Sequence, residues 1–195
     1  MKNYVKKSLA LVLMFVTLVS FSNKKGSVSN KKINNPTNLS FENVAEGSTL
    51  QIKDKDKYII YKEIIEISGK YSKNFDMSNL PDAEYFVELH MQDKIVILPF
   101  SVKATVATLR KAESREIFKP MVSVQGDSVI ISRKLMEEEN LKIEVYYEGY
   151  DLAYSEKIRD TKNLRRIYDF TGSQKGNYLI VFTSKGRIFT NNISI

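Results

Sequence analysis

The chain has 195 residues, a formal net charge of +7, no Cys, no Trp, and 43% apolar residues among which Ile, Val, Tyr and Phe are prominent. Without cysteine there are no disulfides, thiolate nucleophiles, Cys-type metal sites or cysteine-linked lipids, so stability rests on the core alone. The basic residues are set against 23 acids, which points to a mixed charged surface rather than to nucleic-acid binding.

Residues 1–22, MKNYVKKSLALVLMFVTLVSFS, read as a signal peptide. Lys2, Lys6 and Lys7 form a positive start, and Ser8 to Phe21 is an apolar run of about fourteen residues, short for a membrane span. Ser20 and Ser22 supply small residues for a cut after Ser22. The three lysines account for three of the seven excess charges, leaving +4 on residues 23–195. Residues 23–37 are polar and turn-rich and are expected as a flexible leader.

From residue 38 the chain alternates apolar and polar residues in short runs between Gly, Asp, Asn and Ser clusters, the grammar of strands and turns. The first set is expected at Leu39–Val44, Thr49–Lys53, Tyr58–Ile67, Tyr71–Met77, Glu84–Met91 and Lys94–Lys103. Pro99 cannot donate to a ladder, so its strand is expected to be an edge or to carry a bulge. Residues 105–120 are expected as a connection, with a helix-compatible stretch from Thr108 to Phe118. The second set is expected at Met121–Val124, Ser128–Arg133, Leu141–Tyr147, Leu152–Ile158, Leu164–Phe170, Asn177–Thr183 and Arg187–Ile195. Lys134–Asn140, KLMEEEN, is the other helix-compatible stretch, though only about two turns long and marginal alone.

The two sets resemble one another. At an offset of 93 positions, residues 50–102 lie on 143–195 without a gap. Tyr61, Glu63, Ile65, Asp76, Tyr85, Ile95 and Ser101 fall on identical residues, and apolar positions meet apolar positions in register. A slip of one residue would turn every side chain to the wrong face, so agreement in register carries information. The expectation is one structural unit written twice, 38–104 and 121–195; the rival is a single long sandwich with shared β patterning.

The phrases FDMSNLPDAEYFVEL and YDFTGSQKGNYLIVFTSKGRIF, with NNISI at the end, resemble the signature of small immunoglobulin-like β-sandwich domains in secreted bacterial proteins. These include the C-terminal sorting domains of type IX secretion and related secreted proteins of unknown function. The resemblance implies an all-β fold of two tandem immunoglobulin-like antiparallel sandwich units, and it brings no catalytic residues. Here Ala83-Glu84 replaces the usual Gly before Tyr85, and the chain ends in Asn-Ile-Ser-Ile rather than a basic tail, which weighs against a sorting tag.

Candidate chemistry is sparse. His90 is the single histidine, so neither a His-rich metal site nor more than one hydrolytic triad can be built, and it is expected at a surface or rim. Asp54 and Asp56 alternate with lysines and lack the Gly and distal Glu of a calcium loop, so they are expected in a turn. Tyr146, Tyr150 and Tyr154 are the candidate binding residues, for carbohydrate or peptide, with Tyr147 beside them. Taken together, the sequence predicts an exported, non-catalytic protein of structural or interaction role, in the periplasm, at the cell surface or outside the cell. No cofactor or metal is expected. The expected partner is an unidentified protein or glycan of the cell envelope, not nucleic acid, and the membrane is met only through the signal peptide before its removal.

Overall fold

A computed structural model of the chain describes residues 36–195; the expected signal peptide and nearly all of the expected leader lie outside the described residues. The described chain is all-β apart from one turn of 3-10 helix. Strands β1 (Thr37–Val44) and β4 (Gly69–Phe75) form a two-stranded sheet. It faces a larger sheet ordered β3 (Ile59–Ile64), β2 (Thr49–Asp54), β5 (Ala83–His90) and β6 (Lys94–Lys103), with β7 (Val106–Leu109) and β8 (Arg115–Phe118) both on the outer side of β6. Alternation explains the core between these layers: Leu39 and Val44 of β1 meet Leu50, Ile52, Val87, Leu89, Leu98 and Phe100.

The expected connection 105–120 is therefore half sheet. Val106–Leu109 pairs with Phe100–Lys103, Arg115–Phe118 pairs with Lys94–Ile97, and only Lys111–Glu113 is helical. Pro99 does not mark an edge. It sits opposite the break between β7 and β8, where its carbonyl accepts from Arg110 N at 2.9 Å. The N–H and C=O of a strand residue share one side, so the missing N–H falls in the gap and no ladder bond is lost.

The second half is built on two long strands, β10 (Ser128–Tyr147) and β11 (Asp151–Asp169), paired as a hairpin. β9 (Met121–Gln125) pairs with the start of β10, and β12 (Asn177–Ser184) and β13 (Arg187–Ser194) continue the sheet from its end. Laid straight, β10 would separate Ser128 from Tyr147 by roughly 60 Å. Yet Phe170, just past the Ser128 end of the hairpin, packs edge-on against Tyr178, the partner of Tyr147, with ring centroids 5.0 Å apart. The hairpin thus doubles back on itself, with register shifts between Lys134 and Leu141. Val129, Ile131 and Leu164 of one layer share a core with Leu141, Ile143, Ile180 and Phe182 of the other. Lys134–Asn140 is strand rather than helix.

The ladders of the halves correspond residue for residue. Ile52 pairs with Tyr61 and Val87, and Val145 with Tyr154 and Ile180. Leu89 pairs with Val96, and Phe182 with Phe189. A register shift follows Ile52 in one ladder and Val145 in the other. Tyr85 Oη donates to Pro81 O at 2.9 Å, and Tyr178 Oη to Gln174 O at 2.7 Å. Asp76 Oδ1 accepts from Ser78 N and Asp169 Oδ1 from Thr171 N. Tyr61 lies edge-on to Phe75, as Tyr154 does to Tyr168. The halves differ where the first has Gly47 and Gly69, both at positive φ, between its strands. The second has KLMEEEN and RDTKN at those places, with no glycine or proline, so its strands run on through bulges.

Among the described residues, Gly176 is the glycine with a packing requirement. Its φ is +154°, and an added Cβ would lie 2.7 Å from Glu148 Oε1 and 2.8 Å from Tyr147 Cε2. The glycine makes room for Tyr147 to lie against Tyr178 at 5.2 Å. Gly176→Ala is expected to cost about 1–3 kcal/mol, from backbone strain and displacement of Tyr147. A thermal melt without a lowered midpoint would contradict this.

Candidate functional site

On β5, Val87 and Leu89 enter the first core, so Glu88 and His90 project from the opposite face of the sheet. That face is not solvent here. Glu88 is 5% exposed, and Ile95 and Ile97, which share its face on β6, are buried too. Two cationic side chains and a histidine converge on the Glu88 carboxylate. Lys53 Nζ of β2 lies 2.6 Å from Oε2, His90 Nε2 lies 2.9 Å from Oε2, and Arg187 Nη2 of β13 lies 2.6 Å from Oε1. Arg187 comes from the second half, so the carboxylate is shared between the halves. Burial alone would raise the Glu88 pKa, but the hydrogen bonds from His90, Arg187 and Lys53 outweigh it and hold the carboxyl well below the usual carboxylate range. A carboxylate held ionised and occupied on both oxygens is a poor general acid or base, so the cluster is suited to fastening rather than to chemistry.

A second buried cation crosses the same boundary. Arg133 of β10 donates from Nε to the Phe118 carbonyl of β8 at 2.8 Å, and its guanidinium stacks on Phe189 at 5.5 Å. Its Nη1 is 2.9 Å from Glu139 Oε1. Beside these contacts lies a cleft of about 690 Å³. One wall is Arg187–Asn191 of β13, and the other includes His90, Ile95 and Lys119–Val122.

The residues expected to bind a ligand do not converge. Val145 faces the core, and Tyr154, directly opposite it, takes the same side and packs on Tyr168 at 5.6 Å. Tyr146 turns to the other face, opposite Leu152, and Tyr150 stands 75% exposed in the turn between β10 and β11. Tyr146 and Tyr154 therefore sit on opposite faces of one sheet and form no common surface. Tyr147 is held by Tyr178 and by a 3.3 Å bond from its hydroxyl to Lys175 O. Asp54 acts as a turn residue: its Oδ1 accepts from Asp56 N and Tyr58 N, both at 2.9 Å, while Lys55 pairs with Asp56. Among the described residues, no group of three or more His, Asp or Glu side chains is placed to hold a metal ion. His90 lies at the rim of the cleft and is tied to Glu88.

Sequence reasoning passed over Glu88, Arg133 and Arg187. Glu88 alternates with core residues and so reads as an outward, hydrated position. Arg187 is 99 positions away, and no local pattern joins them. Comparison with protein-family models and with curated proteins finds no match to this chain.

Proposed function

We propose that this chain is an exported, non-catalytic protein of two tandem immunoglobulin-like sandwiches, held as one body to serve a structural or interaction role in the cell envelope or outside the cell. The observation that carries the reading is the same ladder, with the same tyrosine, found twice and joined through Glu88. A tyrosine whose hydroxyl bonds a carbonyl a few residues upstream occurs in the tyrosine corner of immunoglobulin-like sandwiches, and the bonds of Tyr85 and Tyr178 support that reading. The charged, apolar and short-polar pattern of residues 1–22 supports export. A buried ion pair and an arginine–carbonyl hydrogen bond between the halves support a fixed spacing of the two units rather than a flexible string.

The test is to express the full chain in a Gram-negative host, fractionate the cells and sequence the N-terminus of the product. Export predicts a product beginning at Asn23 outside the cytoplasm. A cytoplasmic product retaining residues 1–22 would overturn the export part of the reading.

A further inference from the structure

β13 is the last strand of its sheet, and among the described residues nothing pairs with its outer edge. Its counterpart β6 is flanked on that edge by β7 and β8. Lys94–Ile97, the stretch that β8 covers, corresponds to Arg187–Thr190 at the offset of 93. Those residues, with Asn191, form one wall of the 690 Å³ cleft. Consecutive strand residues point to alternate faces, so a cleft lined by five in a row runs along the hydrogen-bonding edge.

The edge is ready to pair. Gly176 and Ile195 exchange both backbone bonds, at 3.1 Å each. The β12–β13 register is unbroken from there, so Ile193, Asn191 and Phe189 also turn toward β12. Ile188, Thr190 and Asn192 then direct their N–H and C=O away from it, the first two into the cleft. Ile188 and Met121 are 67% and 44% exposed on its walls. The lining includes Lys119, and Arg187 already paired with Glu88, and no carboxylate.

We infer that this cleft is a strand-docking site: an extended, acidic-to-neutral segment of a partner protein adds to β13 in the antiparallel sense, in the place β8 holds on β6. The first half displays the mode of pairing, since Ile117 lies opposite Ile95 and Glu116 pairs with Lys94 at 2.6 Å. On β13 the equivalent apolar residue of the guest covers Ile188, and its backbone takes up the groups of Ile188 and Thr190. The far wall, Lys119 to Val122, bounds the cleft opposite β13. This inference gives the proposed interaction role a partner class, and it rests on the equivalence of the halves.

The probe is a synthetic peptide of residues 114–120 with Arg115→Glu and Lys119→Glu and a Trp added at its N-terminus. Because the chain has no Trp, indole fluorescence reports the bound peptide. Saturable binding is expected, weakened at least about tenfold by Thr190→Pro, which removes an N–H facing the cleft and none facing β12. Pro99 shows that the corresponding side of β6 tolerates proline. Ile188→Glu, at an exposed position, is expected to weaken binding similarly and guards against a folding defect in the proline variant. The same peptide with lysines in place of its glutamates is expected to bind more weakly. No saturable binding, or binding equal in both variants, overturns the inference. A concentration-dependent dimer that Thr190→Pro dissolves would assign the edge to a second copy and overturn the partner segment. Neither outcome touches export, which the N-terminal sequence tests separately.

Discussion

Replacing Glu88 by alanine is expected to lower the stability of the folded chain by about 3 kcal/mol, read as a lower urea midpoint at unchanged slope. Removing one partner of a buried ion pair typically costs about 3–5 kcal/mol, because it strands the charge left behind. Here the carboxylate is nearly inaccessible, while Arg187 and His90 keep about a quarter of their side-chain surface and can regain water. That places the effect at the low end of the range. Arg187→Ala alone is expected to cost less, since Lys53 and His90 still hold the carboxylate. The double variant then separates the two roles. A coupling energy clearly above about 0.5 kcal/mol between Glu88 and Arg187 is expected for residues in direct contact, and additivity would show that the halves are not fastened there.

The same carboxylate sets a pH dependence. Its folded pKa lies below the unfolded value of about 4.3, so the native state prefers it ionised. Its contribution is complete above that unfolded value and is lost as pH falls from there toward the lower folded pKa. The stability difference between the native chain and Glu88→Gln should therefore shrink as pH falls below about 4.3. A difference that does not shrink between pH 4 and 2 would falsify this assignment.

How much of this was legible in the sequence depends on how far each signal travels along the chain. Lys94–Lys103 is both the expected and the observed strand, because it is a β-branched, apolar run that starts directly after the Gln92-Asp93 turn. Tyr61, Glu63 and Tyr85 recur at an offset of 93 because the ladders they sit in share one register. Lys134–Asn140 was ambiguous because KLMEEEN has helical propensity and no alternation. Its strand conformation follows from pairing with β11, a tertiary effect that overrides propensity. The edge strands β7 and β8 are only four residues each and hide in TLRKAESREIF, where charge obscures the pattern. The tyrosines 146, 150 and 154 looked clustered in sequence, but a period of two and a bulge after Val145 divide them between faces. Glu88, Arg133 and Arg187 could not be found locally: each takes its meaning from a partner on a different strand.

Phe182→Ala is expected to cost about 3–5 kcal/mol, the ordinary range for truncating a buried aromatic, and Phe100→Ala a similar amount. Both rings have no exposed surface, and each lies at the centre of its own core: Phe182 between Ile143 and Phe189, Phe100 stacked on Tyr85 at 5.2 Å. Neighbouring strands on both sides prevent the sheet from closing over the cavity. The informative measurement is amide exchange, residue by residue, in the Phe182→Ala variant. If the halves were independent, only Ile180 and its neighbours on β12 would lose protection. With Arg187 bound to Glu88 and Arg133 to the Phe118 carbonyl, opening the second half strips the buried Glu88 carboxylate of one of its cations. The most protected amides of Val87 and Leu89 on β5 are therefore expected to fall together with those of β12. Unchanged protection on β5 would mean that the ionic contacts do not couple the two cores, and the single-body reading would have to be given up in favour of two sandwiches that merely touch.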